Sequence, residues 1–252
     1  MATRVEKQQA ETVLYLYGVS TSSPRKLPPV AGVDGSASVE TIDCGGIICW
    51  ISRVPRPDFA DNLPKNIENL DWLAPMTQQH QRTVTAIVET TDLLPSRFAT
   101  IFMSEASLCA DMKQRKAALE ADLKRIKGSE EWGVKVFAVP PKVERPATVR
   151  SGKDYLQAKS ALRKAMQPAA GGEEIERFAS ELEKLSVDMA EGGRISGGRK
   201  DLQYHMSLLL RRADRPKLQK VLKRFSAEWE GKRQIECTGP WPPYSFVSRL
   251  TE

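Results

Sequence analysis

The stretch LQYHMSLLLRRADRPKLQKVLKRFSAEW, residues 202–229, decides the fold of the C-terminal half of the chain. Its first nine residues carry apolar side chains at alternate positions, which predicts a strand over Leu202–Leu210 with one buried face. Asp214 and Pro216 then provide the signals of a helix start. The apolar residues that follow recur with the helical period and predict one buried helix face, formed by Leu218, Val221, Leu222, Phe225 and Trp229.

A short strand around Ile235 and Cys237 completes a strand-helix-strand series, and a similar series precedes it in the sequence. The earlier series has a strand over Leu93–Met103, a helix that begins after Ser104 and a strand over Glu131–Val139. The predicted buried face of its helix consists of Leu108, Met112, Leu119, Leu123 and Ile126. Two such βαβ units form the ferredoxin-like plan, in which both helices cover the same face of one antiparallel sheet.

The N-terminal part of the chain has the pattern of a separate α+β domain. Thr12–Val19 is a run of β-branched and aromatic residues, which predicts a central strand buried on both faces. Ser38–Asp43 and Ile47–Val54 predict a hairpin, because the turn between them contains two glycines. A helix is predicted over Asn66–Glu89, and Pro75 is expected to divide it into two pieces.

These elements predict an α+β protein of two domains, for which 252 residues provide enough apolar surface. We expect four segments: a flexible N-terminus at residues 1–11, an α+β domain at 12–94, a modified ferredoxin-like domain at 95–237 and a C-terminal tail at 238–252. Two helices, Lys153–Gln167 and Glu173–Ala190, are expected to form a helical insertion at 151–191 in the ferredoxin-like domain.

The tail contains the sequence TGPWPPYSFV at residues 238–247, which combines rigid and apolar residues. Prolines reduce the entropy lost when a segment becomes ordered, and large aromatic side chains anchor it by burial. The six residues with these properties are Pro240, Trp241, Pro242, Pro243, Tyr244 and Phe246. We expect the tail to brace the two domains against each other, and the alternative is a peptide that docks on a partner protein.

The composition, with 40% apolar and 28% charged residues, is that of an ordinary globular protein. No segment approaches the roughly 18 consecutive apolar residues that a membrane-spanning helix requires. The opening residues Met1–Glu11 are polar and lack the apolar region of an export signal. These features predict a cytoplasmic protein without a membrane span.

Basic residues are concentrated towards the C-terminus of the chain, whose net charge is +6. Gly193–Arg233 contains 12 Lys and Arg residues against 4 Asp and Glu residues. Such a surface can bind an acidic protein, nucleic acid or anionic lipid, or it can serve only to keep the protein soluble. The candidate partner-binding residues of this basic face are Lys217, Lys220 and Arg224.

Patterns of catalytic or metal-binding residues are weak. The four cysteines, at positions 44, 49, 109 and 237, form no C-x-x-C pair, and the only histidines are His80 and His205. Small, partly buried thiols are therefore favoured over a zinc site. The glycine-rich stretch Gly192–Lys200 lacks the Lys and Ser/Thr positions of a phosphate-binding loop, so a turn is favoured. We predict no enzymatic activity, no metal and no cofactor.

RNA binding is the alternative function. A ferredoxin-like sheet that carried Phe98 and Phe102, within a basic domain, would provide an aromatic platform on which bases stack. However, the sequence RFATIF at Arg97–Phe102 does not match the motif of such a platform. The two phenylalanines can equally face the core.

Six segments, considered together, resemble one protein family. They are YLYGV at 15–19, WISRVPRPDF at 50–59, LLPSRFATIF at 93–102, EWGVKVF at 131–137, SGKDYL at 151–156 and TGPWPPYSFV at 238–247. In their order and spread, from Thr12 to Val247, they resemble the gas vesicle GvpL/GvpF family. Two features depart from the family pattern: Ala99 stands where glycine is usual, and Leu202–Leu210 differs from the commoner strand rich in small residues, Asn and Ala.

The resemblance implies a minor vesicle component needed for assembly, with an α+β N-terminal domain and a modified ferredoxin-like C-terminal domain. It also implies a location at gas vesicles in the cytoplasm. The implied partners are the small hydrophobic shell protein and other accessory vesicle proteins, whereas membrane and nucleic acid are not expected. We therefore expect a non-enzymatic assembly factor that chaperones or nucleates shell subunits by protein contact, because an apolar shell protein must be kept from aggregating before it assembles.

Overall fold

Residues 11–139, 172–192, 199 and 201–248 are described by the computed structural model of the chain. They form two units, of which the first falls within Met1–Glu130 and Trp241–Glu252 and the second within Glu131–Pro240. Each unit contains one β-sheet with its own helices. The predicted mixed architecture of helices and two antiparallel sheets is confirmed.

The first sheet is organised around β1, Thr12–Ser20. On one side β1 pairs antiparallel with β3, Ile48–Pro55, and on the other with the short strands β4, Leu94–Pro95, and β5, Ile101–Phe102. The strand β2, Glu40–Asp43, pairs with β3 and completes the predicted hairpin. Every residue of β1 after the first is buried, so the prediction of a central strand covered on both faces is confirmed.

A disulfide links the hairpin turn to the helix that follows β5. Cys44 and Cys109 are bonded although 65 residues separate them, and their Cα atoms lie 4.9 Å apart. The expectation of separate thiols is therefore wrong for this pair, whereas Cys49 and Cys237 are free. Sequence spacing did not indicate the pair, because the fold and not the local sequence brings the two Cα atoms within bonding range.

The helix predicted over Asn66–Glu89 is divided, but at a different residue from the predicted one. The structure has α1, Leu63–Glu68, and α2, Leu70–Val88, which continues through Pro75. The break lies at Asn69, whose side chain accepts a hydrogen bond of 3.0 Å from the backbone N–H of the second residue of α2. Pro75 lies in the second turn, where its missing N–H removes one hydrogen bond without ending the helix.

Two helices follow β5 where the sequence predicts one. They are α3, Glu105–Gln114, and α4, Lys116–Ile126, with the break at Arg115. The predicted start is confirmed, because the Ser104 hydroxyl caps α3. All five residues of the predicted apolar face are buried, namely Leu108, Met112, Leu119, Leu123 and Ile126.

The strand predicted over Leu93–Met103 is interrupted between β4 and β5. In the gap Phe98 packs against the core of the first unit, and the Ala99 N–H donates a hydrogen bond of 3.1 Å to Tyr15 Oη. Ala99 has a φ of +62°, in the left-handed region that favours glycine. This conformation explains why glycine would suit the position better than alanine.

Ala99→Gly is expected to raise the free energy of unfolding by about 0.5 to 1 kcal/mol, because the strain of a left-handed alanine exceeds the entropy that glycine adds to the unfolded chain. Urea denaturation measures the change. Ala110→Gly, at an exposed site within α3, is the matched control and should lower stability by a similar amount. If both variants were destabilised equally, Ala99 would not be strained.

The second unit has the element order of the ferredoxin-like plan. Its elements are β6, Ser129–Ala138; α5, Gly172–Leu185; β7, Asp188–Glu191; β8, Leu202–Arg211; α6, Arg215–Glu228; and β9, Arg233–Trp241. The strands are arranged in the order β7-β8-β6-β9. Short helical turns elsewhere in the chain are a π-helical turn at Pro57–Asp61 and 3-10 turns at Arg212–Asp214 and Tyr244–Phe246.

These units differ from the predicted domains. Residues 95–130, which include α3 and α4, belong to the first unit and not to a ferredoxin-like domain at 95–237. The reason is pairing with β1: the Ser96 N–H donates to the Tyr17 carbonyl and the Leu16 N–H to the Thr100 carbonyl, both at 2.9 Å. The amphipathic pattern predicts a helix but does not determine which sheet it covers.

The predicted insertion at 151–191 contains integral parts of the second unit. Both α5 and β7 lie in it, and β7 pairs antiparallel with β8. The helix predicted at Lys153–Gln167 lies outside the described residues. Most residues of the predicted buried faces of β8 and α6 belong to the core of this unit. Five are fully buried, namely Leu208, Leu210, Leu218, Phe225 and Trp229, and four are partly buried against them, namely Tyr204, Met206, Val221 and Leu222.

Candidate functional site

The tail that follows β9 reaches the aromatic core of the first unit through a buried histidine. Tyr244 Oη lies 3.1 Å from His80 Nε2, and His80 Nδ1 lies 2.8 Å from Tyr15 Oη. The Phe98 ring meets the His80 ring edge-on, with 5.7 Å between centroids. A continuous set of hydrogen bonds therefore joins the tail to α2 and β1.

A second set of contacts holds the tail beyond Tyr244. Phe246 is 3% exposed, and its carbonyl accepts a hydrogen bond of 2.6 Å from Arg125 Nη2. The Ser248 N–H and hydroxyl donate to the buried carboxylate of Asp122 at 2.7 and 2.8 Å. Arg125 also pairs with Asp122 at 2.7 Å. The tail thus supplies two of the donors that a buried carboxylate requires.

The first part of the predicted tail is a strand. The strand β9 continues to Trp241, beyond the predicted end at Cys237, and the Gly239–Pro240 peptide bond is cis. Trp241 is 46% exposed, so the expectation that it is buried as an anchor is wrong. Pro242 and Pro243 are buried, whereas Pro240 is exposed. Bracing of the two units by the tail stays a prediction.

His80 is a central residue of this site that the sequence analysis did not assign. A signal was present, because the buried residues of α2 are His80, Thr83, Val84 and Ile87, which recur with the helical period. Burial lowers the pKa of His80 to about 4, so the ring is neutral at physiological pH and accepts or donates hydrogen bonds without charge.

Acid is expected to destabilise the first unit through His80. An unfolded histidine has a pKa of about 6.5, so between about pH 6.5 and pH 4 the unfolded chain binds a proton that the folded chain does not. Stability should fall as the pH falls through this window, by up to about 3 kcal/mol. Urea denaturation across the window should show a flatter pH dependence for His80→Gln. Parallel pH profiles for the two proteins would contradict this role.

The three candidate residues of the basic face lie on α6 and are exposed. Lys217 Nζ lies 2.7 Å from Asp214 Oδ1, and Arg224 Nη2 lies 2.9 Å from Glu181 Oε2. Lys220 has no carboxylate within ion-pair distance in the part of the chain that the structure describes. The basic face therefore carries less uncompensated charge than its composition suggests. Residues 193–198 and 200 of the basic region lie outside the described residues.

The aromatic platform of the RNA alternative is absent from the described ferredoxin-like sheet. Phe98 and Phe102 belong to the β4–β5 segment of the first unit. Phe98 packs in an aromatic cluster, with ring centroids 6.2 Å from Tyr15 and 6.5 Å from Trp72. The premise that these phenylalanines lie on the ferredoxin-like sheet is wrong.

Two apolar residues that the sequence analysis did not assign are exposed to solvent. Leu70 is 74% exposed and Ile67 is 39% exposed, at the junction where α1 ends and α2 begins. We call this pair the apolar corner. The helical period indicates this exposure. Leu70 lies two residues from Trp72, or about 200° around the helix axis, and Trp72 packs against the core. Exposed apolar side chains that lie off the buried face are candidates for contact with a partner.

Reactive and metal-binding groups are not assembled into a site within the described ranges. No three His, Cys, Asp or Glu side chains there are grouped so that they could hold a metal ion. Burial raises the pKa of the Cys49 thiol to about 12, which disfavours the nucleophilic thiolate. None of the described helices has the length and apolar character needed to cross a membrane.

Comparisons with known proteins agree on one family. The family model described as "Gas vesicle synthesis protein GvpL/GvpF" matches residues 13–248. A relative from a Streptomyces species, "Gas vesicle protein L", is 28% identical over 94% of both chains. "Gas vesicle protein F1" of Halobacterium salinarum is 24% identical over 93% of this chain and 92% of the relative.

Two crystal structures show the same fold. That of the gas vesicle protein GvpF from Anabaena sp. PCC7120 has a TM-score of 0.69 and 15% identity, covering 94% of this chain and 97% of its own. That of GvpF from Microcystis aeruginosa has a TM-score of 0.68 and 17% identity, covering 94% and 99%. Because the family model extends over residues 13–248, the chain belongs to the gas vesicle synthesis protein GvpL/GvpF family, and its role is related to gas vesicles.

Proposed function

We propose that this protein is a non-enzymatic assembly factor of gas vesicles in the cytoplasm, which binds the small hydrophobic shell protein and other accessory vesicle proteins. Membership of the family supports the vesicle role. The observation that carries the binding role is the apolar corner, where Leu70 leaves 74% of its surface in water. A shell subunit with apolar surfaces requires cover before assembly, and the apolar corner offers a matching surface.

Burial of the apolar corner would contribute part of the energy of a contact with a partner. Full burial of a leucine or isoleucine side chain contributes roughly 1.5 to 3 kcal/mol, and Ile67 and Leu70 are close together in sequence. The free energy that a partner can add by covering each side chain depends on the fraction still exposed, which is larger for Leu70. We therefore assign Leu70 the main contribution and Ile67 a supporting one.

Capture of purified shell protein by the tagged protein tests the proposal. The double variant Ile67→Gln with Leu70→Gln should weaken capture by about tenfold, which corresponds to about 1.4 kcal/mol. Met103→Gln is the matched control, because Met103 is a 52% exposed apolar residue outside the apolar corner. Equal capture by both variants would remove the apolar corner from the proposal, and no capture by the unaltered protein would overturn shell binding itself.

The basic face is proposed to speed association with acidic surfaces of accessory proteins. Lys220→Glu tests this role without breaking an ion pair. A reversed charge at Lys217 or Arg224 would also place two negative charges side by side, at Asp214 or Glu181. Capture of accessory proteins by Lys220→Glu should be reduced at about 50 mM salt and approach that of the unaltered protein at about 500 mM. If capture by the unaltered protein did not depend on salt, the basic face would serve solubility alone.

A further inference from the structure

A cleft of about 590 Å³ opens in the first unit beside the end of β1. Its volume lies within the range of roughly 300 to 1,000 Å³ that is usual for ligand sites. The strands β1 and β4, the loop after β4, the helix α4 and the tail all contribute to its lining. The aliphatic part of this lining consists of Leu16, Val19, Leu94, Leu119 and Val247.

The charged lining of the cleft is of one sign. Arg97 and Arg115 line it, and none of the described residues contributes a carboxylate to it. Arg97 is exposed and has no ion pair among the described residues. Arg115 pairs through Nη2 with Asp111, but its Nε is buried and donates no hydrogen bond in the described part of the chain.

The combination of guanidinium groups and aliphatic side chains identifies the chemistry of the ligand. Guanidinium groups match the geometry of carboxylates and phosphates and bind both with charge-assisted hydrogen bonds, and the aliphatic lining favours the carboxylates of a peptide. The aliphatic lining suits neighbouring side chains such as leucine, whereas the bases of a single-stranded nucleic acid stack on accessible aromatic faces. The one aromatic residue in the lining, Tyr244, is already engaged with His80.

We propose that this cleft binds an acidic, aliphatic peptide segment of a partner protein, with Arg97 and Arg115 holding its carboxylates. The site is separate from the apolar corner and from the basic face, because none of their residues lines the cleft. One wall belongs to the tail, through Tyr244 and Val247, so tail docking and peptide binding depend on each other.

Fluorescence anisotropy with a labelled, end-blocked peptide of alternating leucine and glutamate tests the site in the full chain. The peptide should bind the unaltered protein, and Arg97→Gln should weaken binding by about fivefold. Arg82→Gln is the matched control, because Arg82 is exposed on α2 outside the cleft, and it should leave binding unchanged. Replacement of glutamate by glutamine in the peptide should weaken binding to the unaltered protein by a similar factor.

Arg97→Gln decides the test, because Arg115 joins α3 to α4 and its replacement can unfold the protein. Thermal melting should show that Arg97→Gln is folded. Equal binding of the glutamine peptide, or equal weakening by Arg82→Gln, would overturn the proposal. Displacement of the peptide by succinate at the peptide's own concentration would indicate a small-anion site and overturn peptide docking. Displacement of the peptide by a short oligouridylate would indicate nucleic acid as the ligand and would also overturn peptide docking.

Discussion

Truncation after Trp241 is expected to lower the thermal midpoint of the first unit by about 10 °C or more. The truncation removes Phe246, which is 3% exposed and whose burial contributes roughly 1.5 to 3 kcal/mol. It also removes the two Ser248 donors of the buried Asp122 carboxylate, at a cost of about 1 to 3 kcal/mol. Differential scanning calorimetry of the full and truncated chains measures the shift.

Two point variants separate the contributions to this effect. Phe246→Ala should reproduce a large part of the loss through the cavity that it leaves, about 3 to 5 kcal/mol. Trp241→Ala, at a side chain that is 46% exposed, should change the free energy of unfolding by less than about 1 kcal/mol. Equal melting of the truncated and full chains would show that the tail is not docked in solution.

The same truncation tests whether the tail braces the two units. If it does, the truncated chain should have a larger radius of gyration by small-angle X-ray scattering, and vesicle formation should be impaired. A truncated chain that scattered as compactly as the full chain would leave the tail with only its contacts to the first unit. The tail would then be a stabilising segment of that unit, or a peptide for partner proteins.

The elements that could be predicted from the sequence are those whose signal is local. Apolar residues alternate along Leu202–Leu210 and recur with the helical period after Asp214. Both patterns lie within a short stretch of sequence, and the strand and the helix that they predict are confirmed. The hairpin β2–β3 was predictable for the same reason, since its turn residues adjoin its strands. Each of these predictions depends on contacts between residues that are near in sequence.

The features that were missed depend on distant partners. The pairing of β4 and β5 with β1 joins segments about 80 residues apart, and no local pattern specifies it. The Cys44–Cys109 disulfide and the Tyr244–His80 contact are of the same kind. In the tail, prolines and aromatic residues indicated an ordered segment but did not distinguish the buried Phe246 from the exposed Trp241.

Phe178→Ala is expected to destabilise the second unit by about 3 to 5 kcal/mol, because the lost ring leaves a cavity in its core. Phe178 is fully buried, and its ring centroid lies 4.9 Å from that of Phe225, 5.2 Å from that of Trp229 and 5.7 Å from that of Tyr204. It therefore joins α5 to α6 and β8.

The effect of this change distinguishes an integral helix from an inserted one. If α5 were an insertion outside the ferredoxin-like core, loss of the Phe178 ring would leave the sheet intact. Hydrogen exchange measured by mass spectrometry resolves the two units, and amides of β8 should lose protection in Phe178→Ala while those of β1 keep it. Glu176→Ala, at an exposed position on the same helix, is the matched control and should preserve protection in both strands. Equal protection of the β8 amides in Phe178→Ala and Glu176→Ala would mean that α5 does not support the sheet. The helix would then be an insertion, as the sequence predicted.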